Sequence, residues 1–285
     1  MRLAAQDTDI SQGTDISKVF AANRAVGSVA FETVLSAGKT RRGKVHEAGS
    51  LRVRFPSPET GALAAVLVNT AGGVAGGDRF SVTIDAGPDT ALTLTTAAAE
   101  KIYRSQGTPA AIDVRLRVAT GAHLAWLPQE TILFDRAKLK RRIDIELDDG
   151  ASLLLAEIVV FGRAAMSEAM REGEYVDCWR LKRAGKLVFA ETLRLDGDIA
   201  AKLARRAIAG GGAAVATVLI APADQDTAER IRAAAGTFAG EVGVSAWNGF
   251  AVARFCAKDA AGLRSDVMKV LAQIDAKALP RLWLN

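Results

Sequence analysis

The side chains best placed to do chemistry in this sequence are carboxylates and amides. Gln129 and Glu130 follow Pro128, Asp135 lies five residues on, Asp78 closes a glycine-rich stretch, and Glu157 interrupts the apolar run Leu153 to Phe161. Two carboxylates at a suitable separation, for which Glu130 and Glu157 are the candidates, suffice for acid–base hydrolysis of a glycosidic bond. Glu157 most needs explaining. A charged group inside a run that reads as buried must be paired, hydrated or functional, because unpaired burial costs several kcal/mol. Arg163 falls on the same strand face if the strand continues, so a structural Glu–Arg pair stands beside a functional site.

Histidine chemistry has little to work with. His46 and His123 are the only histidines, so a closed zinc site or a serine triad would need one or both, and neither sits in a telling motif. His123, between Gly121-Ala122 and Leu124-Ala125-Trp126, reads as a lone half-buried histidine. No G-x-S-x-G elbow and no H-E-x-x-H helix occurs. The stretch Gly72-Gly73-Val74-Ala75-Gly76-Gly77-Asp78 lacks the Gly-Lys-Ser/Thr ending of a phosphate loop and runs into a strand-like segment instead of a helix. Its four glycines, Gly72, Gly73, Gly76 and Gly77, offer instead the permissive backbone of a bulge or tight bend between strands.

What must position these residues reads as strands first and helices late. Leu51 to Phe55, Phe80 to Ile84, Leu92 to Thr95, Ile112 to Val118 and Ile143 to Leu147 alternate apolar and polar residues with the period of a half-buried strand. Ala62 to Val68 and Leu153 to Phe161 are nearly continuous apolar runs, predicting strands covered on both faces. Helical spacing begins after Asp196: Ile199, Leu203 and Ile208 with Asp198 as cap, a second segment from Asp226-Thr227 through Ala235, and the stripe Leu263, Val267, Val270, Leu271, Ile274. The last stripe could belong to the core and is not assigned to an interface. Val215 to Ile220 and Gly249 to Phe255 read as strands between these helices. The expected fold is mainly β, layered or coiled, with a few helices near the C-terminus.

Length and charge bound the rest. A chain of 285 residues could hold one large domain or two small ones. No Pro- or Ser-rich linker divides it and no repeat of fixed period is visible, so residues 19–285 are read as one domain behind a polar leader, 1–18. No apolar run reaches the roughly 20 residues of a membrane span, the leader carries Asp7, Asp9 and Asp15, and Cys178 and Cys256 are too few for a disulfide framework; a cytoplasmic protein is expected. The net charge of +5 is spread along most of the chain, with two local clusters: Lys39, Arg41, Arg42, Lys44 with His46, and the sharper Arg136, Lys138, Lys140, Arg141, Arg142. With 6% aromatic residues and none interleaved with these cations, a nucleic-acid site is not demanded. The second cluster is read as a solvent-facing patch for an acidic partner protein or as a solvated strand edge.

Five ordered blocks carry a family resemblance. Asn69 to Asp78; Thr95 to Ser105, with Lys101, Tyr103 and Arg104; Trp126 to Phe134; Leu153 to Glu168, with Arg163 and Glu168; and Leu279-Pro280-Arg281-Leu282-Trp283 resemble the signature blocks of the urease accessory protein family UreD, also called UreH. Ser167 stands where that family usually has glycine, and Asn69-Thr70-Ala71 replaces an aromatic, proline-rich lead-in. The resemblance implies a β-helix-like fold and a non-catalytic role: binding UreF, reaching the GTPase UreG through it, contacting the urease apoprotein, and passing nickel along a hydrated internal route, with no stably bound cofactor. A transient path for a divalent ion suits oxygen ligands and water better than a closed histidine–thiolate site. Asp78, Thr95, Thr96, Gln129, Glu130 and Glu157 are the oxygen-bearing positions in these blocks and the expected lining.

Overall fold

The computed structural model describes residues 24–57, 61–275, 277 and 279–284; the leader at 1–18 lies outside them. The described residues begin with an antiparallel hairpin, β1 (Val26–Ser36) and β2 (Lys39–Gly49), then cross with β3 (Leu51–Arg54) and β4 (Leu63–Asn69) into a second sheet. From there it coils. β5 (Arg79–Ala86), β6 (Ala91–Thr96) and β7 (Glu100–Ile102) form three sides of one turn, and β8 (Ala110–Val118), β9 (His123–Trp126) and β10 (Thr131–Leu133) form the next. β11 (Lys138–Leu147) and the long β12 (Ser152–Arg163) complete a third, β12 pairing with β9 through one end and with β10 through the other. Strands of successive turns stack in parallel, β5 on β8, β8 on β11, and β11 on β14 (Glu172–Arg183). This is a β-solenoid-like architecture, within the layered or coiled β fold expected from the alternating sequence and as the family resemblance implies.

Alternation decides which side chains fill the coil. Phe80, Val82 and Ile84 of β5, Val114 and Leu116 of β8, and Leu139, Ile143 and Ile145 of β11 face Leu92, Leu94, Leu124 and Trp126 of the opposite sheet in one buried core. The remaining strands are antiparallel: β13 (Glu168–Ala169) pairs with the end of β12, β15 (Lys186–Asp198) with β14, and β16 (Ala214–Ala221), β18 (Phe250–Ala257) and β17 (Glu241–Trp247) extend the second sheet from β12. The parallel stack of the first sheet therefore ends in a hairpin at each side, β1–β2 and β14–β15.

Helices α1 (Ile199–Ala204), α2 (Gln225–Ala233) and α3 (Ala260–Asp275) follow. Leu263, Val267, Val270 and Leu271 of α3, with Ile231 of α2, cover the outer face of β12, β16 and β18 and bury a second core around Leu154, Ala156, Ile158 and Val218. That cover is why β12 is apolar on both faces. β4 lacks it: only Ala65 and Leu67 are fully buried there, so the expectation of a doubly covered strand at Ala62 to Val68 is corrected. Two helix boundaries also differ. Asp198 caps α1 as predicted, but the helix stops at Ala204, a turn follows, and Ile208 is exposed. The cap of α2 is Asp224, which accepts from the Thr227 N–H, two residues ahead of the predicted start.

Candidate functional site

The interior of the coil is not filled throughout. A cavity of about 330 Å³ runs from the glycine loop and the end of β4, past Asn69, Glu100, Thr96 and Gln129, to Trp126, Thr131, Arg141 and Glu157. The loop that flanks it is built by its glycines. A Cβ on Gly73 would lie 2.5 Å from the Tyr103 ring, and one on Gly76 would collide with the Ser105 side chain, while Tyr103 donates its hydroxyl to the Gly72 carbonyl at 2.8 Å. Gly72 and Gly77 adopt left-handed backbone. Lys101 and Arg104 are exposed around this loop.

The deep end of the cavity holds a buried ionic cluster. Arg141, 5% exposed, donates Nε to Asp177 Oδ1 at 3.0 Å, Nη2 to Asp177 Oδ2 at 2.6 Å and to the Tyr175 hydroxyl at 3.0 Å, and Nη1 to Glu157. Trp126 donates its indole N–H to Glu157 at 2.8 Å, and Tyr175 donates to Asp177 at 3.0 Å. Burial opposes the Arg141 charge, but Asp177 and Glu157 outweigh it and hold the guanidinium protonated. Burial likewise pushes the Glu157 carboxyl up, against the pull of Arg141 and the Trp126 N–H. Two acids share one guanidinium, so this region takes up a cation or a proton more readily than an anion.

The partner of Glu157 is thus Arg141, and the expected Glu157–Arg163 pair is corrected. Arg163 turns to Glu168 and lies 3.9 Å over the Phe134 ring, while Glu168 accepts from the Asp135 N–H at 3.0 Å. The same finding corrects the solvent-facing place expected for Arg141. It shares the inward phase of Leu139 and Ile143 on β11, whereas Lys140 and Arg142 face out. Those outward cations are neutralised within the fold: Lys140 by Glu174 at 3.4 Å, Arg142 by Asp144 at 2.5 Å and Arg136 by Glu172 at 3.8 Å, with Lys138 donating to the Gly107 carbonyl.

Of the six oxygen-bearing positions named from sequence, Thr96, Gln129 and Glu157 share the cavity wall, the Gln129 N–H donating to Thr96 Oγ1 at 2.9 Å. Asp78 is elsewhere, pinning the glycine loop by accepting from Ala75 N–H at 2.7 Å and Ala25 N–H at 2.8 Å. Thr95 is buried on the opposite side of β6, its hydroxyl without a hydrogen-bond partner. Glu130 pairs with Arg264 of α3 at 2.5 Å and lines a separate groove near Met166, so Glu130 and Glu157 face different spaces. Sequence reasoning missed Glu100 and Asn69. The Asn69 amide donates to both Glu100 oxygens at 3.1 and 3.2 Å, and burial, opposed by that amide, pushes the Glu100 carboxyl up to about 7. His123, bonded to Ser152 at 2.9 Å, sits outside the cavity. Among the described residues no cluster of three or more His, Cys, Asp or Glu could hold a metal ion, and no helix is long and apolar enough to cross a membrane.

Stacked parallel coils around an apolar core, two helices covering the outer face of the second sheet, and a cavity ending on a buried carboxylate–guanidinium cluster define a solenoid with one polar pocket in its interior. The family description "UreD urease accessory protein" matches residues 24–284. The urease accessory protein UreD of Rhodopseudomonas palustris is 64% identical over 278 residues, covering 98% of this chain and 99% of that protein. Its counterpart in Bradyrhizobium diazoefficiens is 66% identical over 269 residues, with 94% and 97% covered. The chain belongs to the UreD family of urease accessory proteins.

Proposed function

We propose that this urease accessory protein serves urease maturation as a non-catalytic scaffold that passes nickel to the urease apoprotein, binding UreF and, through it, UreG. Nickel is cargo in this reading, held by weak oxygen contacts and water along the cavity instead of in a closed site. The observation that carries it is the cavity itself: its wall places Thr96, Gln129, Glu100 and Glu157 along one internal space that ends on an acid-rich cluster. A divalent ion crossing such a space exchanges water for carboxylate and amide oxygens a few at a time, which lets it leave as readily as it enters. The free thiols Cys178 and Cys256 suit the reducing cytoplasm, the compartment we assign.

The test is the nickel content of urease matured with variants of this chain. Thr96→Met fills the cavity wall with a bulky apolar side chain, and Glu157→Gln removes the carboxylate at its deep end. Both are expected to lower nickel per urease active site while the complex with UreF still forms. Full nickel content in both, with the complex intact, would overturn the path. Nothing in the geometry favours the hydrolase reading, since each of its two carboxylates is tied to a different arginine in a different space.

A further inference from the structure

The basic cluster that the cavity and the proposed path leave unused is the one on β2. Its cations are free: among the described residues Lys39, Arg41, Arg42 and Lys44 have no acidic side-chain partner, in contrast to the paired cations of β11. The two nearby acids form no ion pair with these four, although both sit in the same hairpin. Glu47 accepts from Arg54 at 3.1 Å and from the Val53 N–H at 2.5 Å, and Glu32 accepts from the Lys44 N–H at 3.1 Å. The same hairpin exposes apolar surface, Val34 at 41%, Leu35 at 48% and Val45 at 39%. Beside it lies a depression of about 530 Å³ formed by Arg42, Val45, Glu47, Val53, Arg54 and Phe55, in which Glu47 is paired to Arg54 and the Arg42 guanidinium stands 5.7 Å above the Phe55 ring. A row of four exposed cations without ion-pair partners, next to exposed aliphatic side chains, repels a basic surface and attracts an acidic one that brings apolar groups of its own.

We propose that the β1–β2 hairpin is a docking surface for an acidic protein surface bearing an apolar ridge. Contact is made by side chains and not by strand addition, because the register of β1 on β2 breaks at a bulge between Phe31 and Thr33 and the outer edge of β2 is lined with cations. The proposal rests on the reading that this chain works by joining other proteins in urease maturation.

The experiment compares the full chain with a variant carrying Arg41→Glu and Lys44→Glu, both exposed positions, in association with immobilised UreF and, separately, urease apoprotein. Against one of them the association rate is expected to fall at least about tenfold at 50 mM salt and to converge on wild type at about 500 mM, where screening acts within a few Å. A second variant, Val34→Ser with Leu35→Ser, is expected to speed dissociation with the salt dependence kept. The matched reversal on β11, Lys140→Glu with Arg142→Glu, is expected to stay within about twofold, its charges being internally paired. Rates unchanged by the β2 reversal against both proteins would overturn the docking surface and leave the maturation reading standing. Wild type binding to neither protein would overturn both. Steeply salt-dependent binding to duplex DNA that the β2 reversal abolishes, with protein association untouched, would make the hairpin a polyanion site and also overturn the proposal.

Discussion

Replacing Arg141 with leucine tests whether the buried cluster holds the two sheets together. Arg141 on β11 reaches Glu157 on β12 of the opposite sheet and Asp177 on β14 of its own, so its loss strands two carboxylates in the interior and removes donors from the Tyr175 and Thr131 hydroxyls. Breaking a buried pair from one side costs about 3–5 kcal/mol. For a domain of this size that lowers the melting temperature by on the order of 10 °C, at roughly 2–4 °C per kcal/mol. Glu157→Gln should behave quite differently: Arg141 keeps Asp177, the Trp126 N–H still finds an amide oxygen, and the loss is about 1 kcal/mol. The sign of the pH effect follows from the same geometry. Without the guanidinium the raised Glu157 carboxyl rises further, so the native state takes up a proton at mildly acid pH that the unfolded state releases; stability then falls as pH rises, and the Arg141→Leu deficit is larger at pH 8 than at pH 5. Urea and thermal unfolding followed by tryptophan fluorescence, with Trp126 inside the cluster as reporter, measures both. An Arg141→Leu chain within about 1 kcal/mol of wild type at both pH values would refute the account of the cluster as the inter-sheet tie.

Glu100 carries its own pH signature: its carboxyl titrates at about 7 folded and at the ordinary 4.5 unfolded, so stability falls as pH rises through that window. Glu100→Gln is expected to leave stability at pH 5 nearly unchanged and to raise it at pH 8 by up to about 3 kcal/mol, at roughly 1.4 kcal/mol per pH unit; parallel unfolding curves at both pH values would contradict it. Gly76→Ala places a methyl group against the Ser105 side chain and is expected to destabilise by about 1–3 kcal/mol, part of which a Ser105→Gly background recovers. A denaturation midpoint unchanged by Gly76→Ala would show the loop to be loosely packed.

The strands were legible because their side chains alternate, and the same alternation already held the place of Arg141. Ile143, Ile145 and Leu147 set the inward phase of β11, and counting back by two reaches Arg141; treating the basic run as one surface patch overrode that phase. The coils were illegible as repeats for a metric reason. Arg79 stacks on Ala111, Ala111 on Lys140 and Lys140 on Val176, spacings of 32, 29 and 36 residues, so no fixed period exists to find. Glu157 could be singled out because it breaks an apolar run. Glu100 could not, since its burial comes from the end of β4 and from β10, and Ala97-Ala98-Ala99-Glu100-Lys101 reads locally as a solvent-exposed stretch. Asp78 and Glu130 carried the right chemistry in the right blocks, yet the fold spends both on holding the chain, one to a loop and one to α3.

The hairpins at the two sides of the parallel stack have a consequence for the protein in concentrated solution. A parallel solenoid is an open-ended object: every turn is a template for the next, and two copies meeting end to end would continue the ladder into a filament. Here the terminal strand on each side runs against the stack, so an incoming coil meets reversed hydrogen-bonding polarity. β2 carries a row of exposed cations at one edge, and β15 carries charges of both signs, among them Glu191, Arg194 and Asp196, at the other. At both edges of the first sheet the parallel ladder therefore gives way to an antiparallel strand, so the repeat that one turn offers the next is not what this sheet presents to a second copy.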